Sequence, residues 1–269
     1  LATGNSHNME LRARQNVSGV YDLSTKGGRT AMNTANCYLV GAPGSYTFPL
    51  VYGNGVKDGA PNPDAYMFSG GTNILDFFLN YQDAPINDPY IYNDANIQFM
   101  DACLVWQDAP NLVSNIALAD DAKSISFDVD RSSIRQGNAI IAVRDTSGDI
   151  VWSWHLWMTT GDPLIPTHYT RDVAWSLIDR NLGATSDEPG NPDSYGLYYQ
   201  WGRKDPFPGV NTAGTNASSK EPAQFSGSTQ AYVINDAFSG HTFKSVRNST
   251  MGSDDLAFVT ANPTTFVHC

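Results

Sequence analysis

Five histidines, His7, His155, His168, His241 and His268, are scattered along 269 residues, and none stands three to five residues from another. A metal pair on one helix face or one hairpin needs that spacing, so no metal site is expected. His155 lies inside a Trp-rich apolar run, where a hydrogen-bonded core histidine is the expected role. There is no Gly-x-Ser-x-Gly elbow, no Walker pattern and no GxGxxG. Paired carboxylates for glycoside hydrolysis would have to sit ~5 to 10 Å apart in a cleft. The 24 Asp single out no such pair, and turns account for nearly all of them. Asp128-Val-Asp130 resembles the start of a calcium loop, but the sixth-position Gly and twelfth-position Glu are missing. Cys37, Cys103 and Cys269 form no CxxC pair and no disulfide framework. They read as buried free thiols, with a Cys37 to Cys103 bridge as the alternative. No cofactor is expected.

Tryptophan offers a different chemistry, because its flat apolar face stacks on the faces of sugar rings. Trp106, Trp152, Trp154 and Trp157 lie in strand-like runs and are expected in the core. Trp175 and Trp201 fall in the loop-rich second half and are the candidate ligand-binding residues.

These side chains must be positioned by strands. The 24 Asp and 22 Asn stand against 3 Glu and 6 Lys, and there are 23 Gly and 15 Pro. Asp and Asn bond to nearby backbone and favour turns, so many short strands joined by long loops are expected, with little helix. Residues 1–34 are polar and read as an N-terminal arm or linker. Residues 35–41 and 46–51 read as a strand pair around Ala42-Pro-Gly-Ser45, with Gly44 at positive φ and Pro49 at an edge or bulge. Residues 53–96 read as a long loop with one short helix at 74–81. Strands resume at 97–107, 112–118 and 124–129, the last two as a hairpin. The clearest signal is 139–144, a turn at Asp145-Thr-Ser-Gly-Asp149, then Ile150 to Met158. Trp152, Trp154 and Leu156 alternate with Ser153, His155 and Trp157, which predicts a central strand covered on both faces. The fold class is therefore mainly β: an antiparallel β-sandwich over 35–160, then a loop-rich α+β module over 161–269.

A net charge of -11 repels a phosphate backbone, so nucleic acid is not an expected partner. No apolar run approaches the ~20 residues of a membrane helix. The sequence begins at Leu rather than Met, so a processed or excised fragment is expected.

Several segments resemble the fimbrillin-like surface proteins of Bacteroidetes. They are Asn33-Thr-Ala-Asn-Cys-Tyr-Leu-Val-Gly-Ala-Pro-Gly-Ser-Tyr-Thr-Phe-Pro49 with Val51-Tyr-Gly-Asn54, and Gly137-Asn-Ala-Ile-Ile-Ala-Val-Arg-Asp145 with Trp152-Ser-Trp-His-Leu-Trp157. Asp179-Arg-Asn-Leu-Gly-Ala184 and Tyr195-Gly-Leu-Tyr-Tyr-Gln-Trp-Gly-Arg-Lys-Asp-Pro-Phe207 add to it, and also resemble a bacterial surface domain of C-type-lectin-like fold. The resemblance implies an exported outer-membrane lipoprotein that acts as a fimbrial or tip adhesin and partners other pilin or adhesin subunits, with host or dietary glycans or host surface proteins as further candidate partners. The N-terminal assembly domain and lipobox cysteine are not in this chain, and the lectin-like unit is expected to be incomplete at Cys269. No ligand residues carry over. The expected function is adhesion or fimbrial structure without catalysis. The alternatives are a module that binds host or dietary glycans and, third, a glycan hydrolase. Assembly by strand addition is a further expectation, from the polar arm and the Pro49 edge.

Overall fold

A computed structural model describes residues 4–67, 79–161, 178, 180–188, 190–200, 203–207, 233–234, 244–247 and 254–268. The protein is mainly β, as the turn-rich composition predicts. Its elements are α1 (Gly4–Ala13), β1 (Val20–Asp22), β2 (Cys37–Val40), β3 (Gly44–Pro49), β4 (Val56–Lys57), β5 (Ala60–Pro61), β6 (Phe99–Gln107), β7 (Ser114–Leu118), β8 (Ser124–Val129), β9 (Gly137–Asp145), β10 (Ile150–Met158), β11 (Tyr198–Tyr199), β12 (Pro206–Phe207), β13 (Val233–Ile234), β14 (Lys244–Arg247), α2 (Asp254–Ala261) and β15 (Thr265–His268). Four strands form one sheet in the order β1-β3-β8-β7, and five form a second in the order β13-β6-β9-β10-β2.

Period-two patterning decides what each face does. In β9, Ala139, Ile141 and Val143 face the first sheet, while Ile140 and Ala142 join a second apolar cluster on the outer face. Between the sheets Phe48 meets Trp154 at 5.2 Å and Tyr38 at 4.9 Å, and Tyr46 stacks on Phe127 at 5.4 Å. As expected, β10 is a central strand covered on both faces: Trp154 and Leu156 are buried inside, and Ser153, His155 and Trp157 are buried outside.

The β9–β10 hairpin follows its turn chemistry. Between β9 and β10, the Asp145 carboxylate accepts the backbone N–H groups of Ser147 and Asp149 at 2.9 and 3.0 Å, and Gly148 takes φ +88°. Pro49 ends β3 where the missing N–H does no harm. Leu50 N–H donates to Lys123 O at 2.8 Å, so position 49 faces the β1 side, beyond the last β1 partner Thr47.

Three expectations are corrected. Residues 35–41 and 46–51 are not paired: β2 lies parallel beside β10, and β3 lies between β1 and β8 in the other sheet. The chain crosses between sheets at Pro43-Gly44, where Val17 N–H bonds Pro43 O at 2.9 Å and Val17 fills the space a side chain at 44 would need. The sandwich is also not purely antiparallel, because β1 with β3 and β2 with β10 are parallel pairs. Finally, residues 4–25 are folded onto the sandwich instead of leading up to it. Leu11 is fully buried, Arg12 Nε donates to Ile134 O at 3.1 Å, and Arg14 joins the carbonyls of Gly41 (2.8 Å) and Thr160. The 20–22 segment is thus engaged by its own sheet. The expected helix at 74–81 falls mostly outside the described residues; within it, Leu79 bridges Pro85 and Asn80 and Tyr81 enter a turn.

Residues 183–188, 190–200 and 203–207 lie across the outer face of the five-stranded sheet. Trp157 Nε1 donates to Ala184 O at 3.2 Å, Ser153 Oγ donates to Asp205 at 2.6 Å, and Phe207 is fully buried against that face. Farther along the chain, β13 adds to the β6 edge, and β14 pairs in parallel with β15.

Candidate functional site

The best-formed cleft lies where β2 stops short of β10. β2 begins at Cys37 opposite His155, so among the described residues the first half of β10 has no strand neighbour on that side. Asn36 closes the gap: its carbonyl accepts His155 N–H at 2.8 Å, and its side-chain oxygen accepts Trp152 Nε1 at 3.1 Å. The indole of Trp152 is left half-buried at the sheet edge, as the cleft floor.

The turn after β3 supplies one wall. Tyr52 stands edge-on to Trp152 with ring centroids 4.9 Å apart. Gly53 adopts φ +47°, and a Cβ there would come within 2.9 Å of Asn36 Nδ2, so glycine is needed for both the bend and the close approach. Tyr66 and Asn54 continue this wall. Arg203, Lys204 and Asp205 form the opposite wall, together with Val259 and Thr260 of α2. The cavity volume is about 290 Å³, at the small end of the ~300–1,000 Å³ typical of ligand sites.

A buried ion pair fixes the second wall. Lys204 Nζ lies 2.9 and 2.8 Å from the two Asp205 oxygens, donates to Ser153 O at 3.1 Å, and sits over the Trp152 ring at 4.4 Å. It also contacts Ser153 Oγ, whose proton is donated to Asp205. Burial lowers the Lys204 pKa, and Asp205 opposes that shift. A Ser–Lys nucleophile requires a free amine as base. Here the amine holds a carboxylate, and the hydroxyl is committed to the same carboxylate. Asp205 is the one carboxylate among the described residues of the lining, so the two-carboxylate geometry of glycoside hydrolysis is not assembled there.

Several polar groups of the cleft make no hydrogen bond to the described protein: Asn36 Nδ2, the Asn54 amide, and the Tyr52 and Tyr66 hydroxyls. Together with three aromatic rings they suit a ligand that mixes hydroxyl groups with apolar faces.

Beneath Gly183 a second polar chain crosses the outer face of the five-stranded sheet. Asp108 accepts Asn138 N and Nδ2, both at 2.8 Å, and Asn138 Nδ2 also donates to Gly183 O at 2.9 Å. Asn138 Oδ1 lies 2.8 Å from His155 Nε2. Since the amide nitrogen is occupied as a donor, Oδ1 must accept, so His155 carries its proton on Nε2. His155 Nδ1 is buried and without a hydrogen-bond partner. Cys37 is the cross-strand partner of His155, so both side chains leave the same face of the sheet. The order Cys, His, Asn is that of a thiol nucleophile, but the environment favours neutral groups. Burial pushes the Cys37 thiol up to about 12 and holds His155 down to about 3, whereas a nucleophile needs the thiolate–imidazolium pair. Burial also raises Asp108 to about 6, against the hydrogen bonds from Asn138.

The sequence reading placed His155 as a hydrogen-bonded core residue, and it is one. Trp175 and Trp201 lie outside the described residues. Cys37 and Cys103 are free thiols, three strand spacings apart in the order β6-β9-β10-β2. That is about 14 Å, which a disulfide cannot span. Asp128 and Asp130 serve local bonds, Asp128 to Asn115 at 2.8 Å and Asp130 to Ser132 N–H at 2.7 Å. Among the described residues there is no group of three His, Cys, Asp or Glu side chains able to hold a metal, and no helix long and apolar enough to cross a membrane. Tyr52, Tyr66, Trp152 and Arg203 were missed as site residues because their meeting depends on a sheet edge; Val51-Tyr-Gly-Asn54, with its turn glycine, was the one local signal. No protein-family model matches the chain, and no match was found among curated proteins or solved structures.

Proposed function

We propose that this chain is a non-catalytic recognition module of a fimbrillin-like surface adhesin, exported to the outer surface, which binds a saccharide in the cleft beside Trp152. One observation carries the reading: a preformed cleft whose aromatic floor and walls surround uncommitted amides and hydroxyls. Sugars present C–H faces that pack on aromatic rings and hydroxyls that both donate and accept, which fits this lining. A purely structural pilus subunit has no need of such a cleft. A hydrolase acting through paired charged groups needs a free acid and base there, and the charged side chains Arg203, Lys204 and Asp205 are tied to one another or to backbone. Subunit contacts through sheet edges are compatible with this role, with β7 the outer strand of the first sheet.

A glycan array probed with the recombinant chain tests the reading, alongside a Tyr66→Ala variant. Binding to a restricted set of glycans, reduced at least about fivefold in the variant, is the expected outcome, since a stacking contact contributes ~1 kcal/mol or more. A folded chain that binds no glycan at all refutes it.

A further inference from the structure

The charges around the cleft narrow the ligand class. Lys204 and Asp205 neutralise one another within hydrogen-bond distance. Among the described residues Arg203 has no counter-ion within hydrogen-bond distance, although Asp205 acts on its charge from farther away. Its two terminal nitrogens go to backbone carbonyls, of Thr265 on one side and of Asn262 (2.9 Å) and Val259 (3.5 Å) on the other. Its Nε is buried with no partner, and it forms no ion pair with a carboxylate. The guanidinium lies over the Phe207 ring at 4.9 Å, which orients it without cancelling its charge. The described lining therefore carries one net positive charge, in a chain whose overall charge is -11. Holding a desolvated cation in a cleft is costly unless an anion arrives to pair with it. Burial lowers the Arg203 pKa to about 10, and the Asp205 carboxylate only partly opposes that shift.

We propose that the cleft selects a saccharide bearing one anionic group, carboxylate or sulfate, which pairs with Arg203 while the sugar ring rests among Tyr52, Tyr66 and Trp152. This rests on the saccharide-binding reading above. The neutral hydroxyls of the ring meet Asn36 and Asn54, and the anionic substituent lies toward the Arg203 wall. A charge-assisted pair in a partly desolvated site is stronger than a neutral hydrogen bond, so the charged sugar should bind about tenfold or more tightly than its neutral counterpart.

The test uses matched pairs that differ only in charge: glucuronic acid against glucose, and galactose-6-sulfate against galactose. Each is titrated into the full chain by calorimetry at low and moderate salt. The acidic member of at least one pair should bind at least about tenfold tighter, and salt should erode that preference. Which pair responds separates carboxylate from sulfate. Arg203→Gln should abolish the preference, and Arg203→Lys should retain part of it. Because Arg203 also holds backbone carbonyls, circular dichroism must show each variant folded; if Arg203→Gln is not, the salt response of the unaltered chain and Arg203→Lys decide. Equal binding of acidic and neutral sugars overturns the anionic preference and leaves the saccharide reading standing. Absence of binding to any sugar overturns both.

Discussion

The buried chain Asp108–Asn138–His155 makes a two-sided prediction about acid stability. His155 ordinarily titrates near 6.5 but is held down to about 3 by burial, so the fold contains a neutral imidazole that the unfolded chain would protonate. Its contribution is present above ~6.5 and lost as pH falls. Going from about pH 7 to about pH 4.5 crosses roughly two units at ~1.4 kcal/mol each, a loss of ~3 kcal/mol. Asp108 acts in the opposite sense. Its carboxyl is raised from 3.8 to about 6, so the fold prefers it protonated, and that preference is lost as pH rises through about 6. Acidification to about pH 4.5 therefore recovers ~2 kcal/mol from Asp108. The two nearly cancel, and the unaltered chain should lose only ~1 kcal/mol from this pair. His155→Gln, which keeps a donor toward Asn138, should leave the Asp108 gain exposed. Asp108→Asn should leave the His155 loss exposed. Urea unfolding followed by tryptophan fluorescence at several pH values measures this, and comparison between variants removes the shared contribution of other carboxylates. Relative to the unaltered chain, the change on acidification should be about 3 kcal/mol more favourable in His155→Gln and about 2 kcal/mol less favourable in Asp108→Asn. Curves for His155→Gln and the unaltered chain that run parallel to within ~0.5 kcal/mol would refute the reasoning.

Trp154 is fully buried between the sheets against Phe48, so Trp154→Ala should cost ~3–5 kcal/mol in chemical denaturation, with m unchanged if the sandwich stays cooperative. Lys204→Met removes the cation from a buried pair and leaves Asp205 uncompensated, an expected loss of ~3–5 kcal/mol. The double change Lys204→Met with Asp205→Leu should recover much of that in the same assay, because no buried charge then lacks its partner.

What the sequence made legible was local. The β7–β8 and β9–β10 hairpins follow from turn residues and alternation, and the two-sided burial of β10 follows from apolar residues on both of its faces. The parallel pairings of β1 and β2 were not legible, because no turn signal links strands so distant in sequence. The apparent hairpin around Pro43-Gly44 misled for a related reason: the corner is shaped by Val17, whose approach no local pattern encodes. The cleft was hidden likewise. Trp152 reads as a core residue by periodicity, and it borders a cleft only because β2 starts three residues too late to cover it.

The parallel pairing of β2 with β10 sets an order of events at birth. Asn36 and Trp152, which bond across that seam, are separated by 116 residues, so an emerging chain holds Tyr38 and Val40 without their strand partner until nearly all of the sandwich has been delivered. Closure over such a span is slow relative to hairpin formation. The nascent form therefore passes through a stage with a greasy unpaired ribbon, when a holding chaperone would have the most to shield.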